Sequence, residues 1–130
     1  MKDESEELPP APYDLDGWRK AVATGRVAQI PPEALVAALQ DLGPDIDAAI
    51  RDPIAARLNR MLMGWLRGYI GFNHPAGGED IIVATHFAIF EALLDKDSAD
   101  GKALREAFWA RVSFRAKDAI ARNIATAGFR

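Results

Sequence analysis

The stretch "DPIAARLNRMLMGWLRGYIGFN", residues 52–73, decides the fold. Ile54, Leu58, Met61, Leu62, Trp65, Tyr69 and Ile70 recur at three- and four-residue intervals. That spacing lines one face of an α-helix and does not fit a strand. Asp52 suits the N-cap and Pro53 the first helical position, so the helix is expected to begin there. Gly64, Gly68 and Gly71 each cost about 1 kcal/mol relative to alanine in a helix interior. The Gly64-x-x-x-Gly68 spacing therefore predicts a place where another backbone packs closely within the fold. The most apolar part, Met61 to Phe72, is short and interrupted by Arg67, so it does not span a bilayer.

The same periodicity continues on both sides. Upstream, "IPPEALVAALQDLGP" reads as a helix opened by Pro31 and Pro32 and stopped by Gly43-Pro44, with Leu35, Leu39 and Leu42 on one side. Before it, "YDLDGWRKAVATG" has Asp14 or Asp16 as its cap, Gly25 as its end, and Leu15, Trp18 and Val22 on one face. A further turn is expected over residues 45–51. Downstream, "NHPAGG" is a loop. It leads into "EDIIVATHFAIFEALLDKD", where Glu79 and Asp80 suit the positive end of a helix. Ile82, His86, Ile89 and Leu93 form one row and Val83, Phe87, Phe90 and Leu94 the next. So wide an apolar sector predicts a central, mostly buried helix. Ser98 or Asp100 then caps a last helix over residues 102–127. No stretch alternates like a strand. The expectation is an all-α, compact bundle of four to five helices. Residues 1–12 read as an acidic flexible tail, 13–50 as an added helical segment and 51–127 as the bundle proper, with 13–130 forming one folded unit.

A chain of 130 residues, 49% hydrophobic and 27% charged, has the composition of one ordinary globular domain. It has no cysteine, which excludes disulfides and cysteine-based zinc sites and fits a reducing, cytoplasmic setting. The acidic N-terminus lacks the apolar core of a signal peptide. Glycine-rich phosphate loops of the Walker and dinucleotide types are missing, and Ser5, Ser98 and Ser113 lie in no nucleophile elbow. His74, Glu79 and His86 lack metal-ligand spacing. These features predict no catalytic residue, no metal and no cofactor.

Charge is unevenly distributed. The balance is -6 over residues 1–56, -2 over 57–101 and +5 over 102–130. On a helix, Arg111, Arg115, Asp118 and Arg122 fall within about a sixth of the circumference. Phe108, Val112, Ala116, Ala119, Ile120 and Ile124, with Trp109, occupy the neighbouring core sector. Arginines at such a border commonly lay their stems on the core and their heads in water, and Asp118 is placed to pair with Arg115 or Arg122. Phe114 is not explained in this way. It points opposite the core sector, beside the arginines, with Lys117 on the same outer side. An aromatic ring next to cations is the combination that stacks an unpaired base and neutralises its backbone; a ring packed under another helix is the alternative.

The order of these segments resembles region 2 of bacterial sigma-70-type factors, particularly the short extracytoplasmic-function type. The resemblance spans about residues 50–125. It is carried by "GGEDIIVATHFAIFEALL" and by the basic, aromatic last helix with its Asp118-x-x-x-Arg122 pair. It implies a sigma region 2-like fold that binds RNA polymerase core and the single-stranded or melting -10 promoter DNA. Glu79, Asp80, Ile81 and Ile82 match the start of the polymerase-docking motif. Val83 and Ala84 stand where the family has Gln and Glu, and His86 where an aromatic is common. The residues so implicated are Glu79, Asp80, Ile82 and Val83 for polymerase, and Arg111, Phe114, Arg115, Lys117 and Arg122 for DNA. The apolar Val83 and Ala84 also motivate a rival: a regulatory protein-interaction bundle that has lost promoter recognition.

Overall fold

In the computed structural model, which describes residues 8–73 and 78–127, the elements are helical throughout. Six α-helices follow in order: α1 (Leu15–Ala23), α2 (Pro32–Leu42), α3 (Ala48–Asn73), α4 (Gly78–Leu93), α5 (Ala99–Glu106) and α6 (Phe108–Ala127). A 3₁₀ turn, Arg26–Gln29, joins α1 to α2. The all-α bundle is as expected, with one helix more than the sequence indicated. The loop residues 74–77, including His74, and the tail residues 1–7 lie outside the described residues.

Local chemistry explains most of the boundaries. Asp14 caps α1 by accepting from the Gly17 N–H at 3.0 Å. Gly25 follows with φ 77°, a left-handed conformation that favours glycine, and Gly43 ends α2 with φ 82°. Residues 8–12, expected to belong to the flexible tail, instead run against α1. The Ala11 carbonyl accepts from the Trp18 indole N–H at 2.9 Å, and the Leu8 carbonyl accepts from Arg26 at 2.9 Å.

Three boundaries depart from the sequence reading. The long helix does not begin at Pro53 but at Ala48, and Pro53 lies inside it. Asp47 opens it: its carboxylate accepts from Ala49, and its carbonyl accepts from Ile50 and Arg51. Extending the helix to Ile50 adds a fully apolar side chain to the core, which offsets the ring's missing donor. The expected last helix is two. It breaks at Ala107, and Glu33 of α2 accepts the Phe108 backbone N–H at 2.9 Å, capping the new helix from across the fold. Finally, Gly64 and Gly68 meet no close backbone; a Cβ at either position enters open space.

A single core joins every helix. Trp18, Leu35, Ile54, Leu58, Leu62, Leu66, Leu93, Leu104 and Phe108 are all enclosed within it. The most enclosed element is α2, buried from Leu35 through Gln40. Helix α4 is not the wrapped central helix its composition predicts. Ile81, Ile82, Thr85, Ile89 and Leu93 face inward, but Val83, Phe87 and Leu94 are 54%, 66% and 59% exposed. Neighbours α3, α5 and α6 cover only one side of it, so its outer apolar residues remain in contact with water.

The buried side chain of Gln40 pins the second half of the bundle. Its amide donates to the Leu93 carbonyl at 2.8 Å and to the Gly101 carbonyl at 3.0 Å. Its oxygen accepts from Arg105 at 3.3 Å, and Arg105 also forks onto both oxygens of Asp41 at 2.8 and 2.9 Å. One polar cluster thus fixes the end of α4 and the first turn of α5 against α2.

Candidate nucleic-acid interface

Helix α6 presents two faces. Phe108, Val112 and Ala116 are fully buried, with Ala119 and Ile120 partly covered beside them. Outside this face, Phe114 is 53% exposed. The packed alternative for that ring therefore does not hold. Two cations lie over it: the Arg111 guanidinium carbon is 5.0 Å and that of Arg115 5.5 Å from the ring centroid. Such contacts hold an exposed ring and two flexible side chains in a common patch.

The same two arginines converge on Asp100 in the first turn of α5. Ser98 caps that helix by accepting from Gly101 at 2.8 Å, which leaves the Asp100 carboxylate free for other partners. Arg111 Nε donates to its Oδ1 at 2.6 Å. Arg115 donates from Nε at 3.0 and 3.1 Å and lies 2.9 Å away through Nη2. Burial pushes the Asp100 carboxyl up, but the hydrogen bonds from Arg115 and Arg111 outweigh it and hold the group below its ordinary range. Further along, Asp118 pairs with both candidates named from sequence, Arg122 at 2.9 Å and Arg115 at 3.6 Å. The result is an alternating ribbon of three arginines and two carboxylates. Lys117 is exposed on the outer side. Proximity thus unites Arg111, Phe114 and Arg115; Arg122 joins them through Asp118. Sequence reasoning missed Asp100, for which the only signal was that Ser98 and Asp100 competed for one cap.

Between α4 and α6 runs an open groove of about 680 Å³. Ile81, Ala84, Ala88, Ile89 and Ala119 form its apolar lining, while Asp80, Asp100 and Asp118 add negative charge and Arg115 and Arg122 positive. The basic ribbon therefore borders a concave surface, not a flat one.

The residues assigned to polymerase separate. Glu79 and Asp80 are exposed in the first turn of α4, and Glu79 approaches Arg67 at 3.8 Å. Val83 is exposed. Ile82 is not: only 3% of it reaches solvent, because it turns into the core. It lies beneath the exposed turn and is not itself accessible to a partner. His86 bonds to Asn59 of α3 and stacks on Phe90, and burial lowers its pKa. Among the described residues no three His, Cys, Asp or Glu side chains converge as a metal site, and no helix is long and apolar enough to cross a membrane.

Compared with protein-family models, curated proteins and solved structures, the chain matches none.

Proposed function

We propose that this chain is a sigma region 2-like module that binds single-stranded DNA through α6 and a protein partner, RNA polymerase core, through the start of α4. The observation that carries the DNA half is Phe114, exposed between Arg111 and Arg115 on the most basic segment of the chain. A base stacks on the ring; Arg111, Lys117 and Arg122 meet the backbone phosphates. The protein half is supported by the exposed acidic turn Glu79-Asp80 beside Val83 and by the segment order that resembles region 2.

Fluorescence anisotropy with a labelled single-stranded -10-like oligonucleotide over a salt series tests the DNA half. A site contacting three phosphates gives a log–log slope of about -2, at roughly -0.7 per phosphate. A flat response at low salt removes this half of the proposal. The polymerase half is tested separately by retention of core enzyme, which Asp80→Ala should reduce.

A second reading rests on an exposed apolar stripe formed by Val83 and Phe87 on α4 and Leu94 just past its end. In that reading the chain is a regulatory protein-interaction bundle that has lost promoter recognition, because a stripe of this kind marks an interaction surface. Light scattering across concentration tests its self-associating form. Dimerisation abolished by Phe87→Asp, together with no oligonucleotide binding, favours this reading over the first.

A further inference from the structure

We infer that Asp100 competes with phosphate for Arg111 and Arg115, so that the arginines flanking Phe114 are held neutralised until a polyanion displaces the carboxylate. The inference rests on the nucleic-acid reading of α6 and adds a built-in brake to it. One carboxylate receives two guanidinium groups: Oδ1 takes Arg111 at 2.6 Å, and both oxygens take Arg115 at 3.0–3.1 Å. Arginine forks onto phosphate with the same geometry as onto carboxylate, so the two anions compete for the same donors. The arginines differ in what they retain. Arg115 is held on both sides, by Asp100 and by Asp118 at 3.6 Å. Its hydrogen bonds to Asp100 use Nε, with Nη2 also 2.9 Å from that carboxylate. Arg111 bonds Asp100 through Nε, leaving its outer nitrogens for a first phosphate contact. Full engagement of Arg115 then requires release of Asp100.

The local environment makes this release costly. Asp100 is largely shielded, sits in the positive first turn of α5, and belongs to an element anchored by Gln40. Once stripped of its arginines it would face both burial and a nearby phosphate. Three arginines against two carboxylates leave the ribbon with one net positive charge at rest. Neutralising Asp100 leaves two and frees Arg115 for one more phosphate.

The test is anisotropy of a fluorescein-labelled twelve-nucleotide oligothymidylate with the full chain and Asp100→Asn, with Phe114→Ala as a reference. Asp100→Asn is expected to tighten binding about tenfold at fixed salt and to steepen the salt slope by about 0.7, the one further phosphate that Arg115 is released to meet. Unchanged or weaker binding by Asp100→Asn, where the wild type binds in a Phe114-dependent manner, overturns the brake and leaves the nucleic-acid reading standing. Absence of binding by both proteins at low salt overturns both. If Asp100→Asn loses its helical circular dichroism, the wild type provides the answer. The Nε–H resonances of Arg111 and Arg115 should shift when the oligonucleotide is added, because they exchange partners; resonances that stay in place while the oligonucleotide binds contradict the inference.

Discussion

Gln40→Leu removes the polar pin while nearly preserving volume, so its effect isolates the hydrogen bonds. The Leu93 carbonyl ends α4 and has no later helical residue to satisfy it, and its bond from Gln40 is 2.8 Å long. Leaving such a buried acceptor bare costs about 1–3 kcal/mol. The second bond, to Gly101, contributes about 1 kcal/mol more. The expected loss is therefore about 2–4 kcal/mol, a substantial part of the 5–15 kcal/mol that stabilises an ordinary domain. Urea unfolding followed by circular dichroism measures it. With an m-value of about 2 kcal/mol/M, the midpoint falls by about 1–2 M. Gln29→Leu, at an exposed position, serves as the control and should move the midpoint little. A loss below about 1 kcal/mol for Gln40→Leu would refute the idea that this side chain holds α4 and α5 to α2.

Gly64→Ala and Gly68→Ala should each raise stability by about 0.5–1 kcal/mol, since both are helical and open to solvent; destabilisation in the same urea assay would restore the close-packing expectation. Acid should weaken the fold through Asp41 and Asp100. The hydrogen bond from Arg105 lowers the Asp41 carboxyl, and the arginine bonds lower Asp100 despite its burial. Both bind protons less readily folded than unfolded, so their contribution is complete above the unfolded value of about 3.9 and is lost as pH falls through the folded values. The urea midpoint should accordingly hold down to about pH 5 and drop as pH falls from there toward about 2, less steeply in Asp41→Asn; a midpoint that rises on acidification contradicts the assignment. Gly101→Ala should destabilise strongly, because its Cβ would collide with the Asp95 carbonyl, and a melting temperature equal to wild type would show that this turn relaxes freely.

The parts legible in sequence were those set by neighbours along the chain. Helix α2 lies between its proline opening and Gly43 as expected, and α1 begins at Asp14, because caps and breakers act within a few residues. The misplaced features depend on contacts across the fold. Nothing near Ala107 is a strong helix breaker; the break is stabilised by Glu33, seventy-five positions away. Pro53 resembled a start signal, but core burial of Ile50 extended the helix past it. The composition of α4 gave its apolar breadth correctly and its burial incorrectly, since composition does not say how many neighbours arrive. In the candidate site, the arginine row and the outward Phe114 followed from helical geometry alone. Asp100 did not, because its role appears only when α5 turns back beside α6.

The central claim concerns one ring. Phe114→Ala should leave the fold intact, because the side chain is largely exposed, and should weaken binding of a single-stranded oligonucleotide. Stacking worth about 1–3 kcal/mol corresponds to a loss of about 5- to 150-fold, and Phe114→Tyr, which keeps the π-face, should retain most of the affinity. An Ala variant that binds as tightly as the wild type, measured by anisotropy at matched salt, would contradict base stacking on α6.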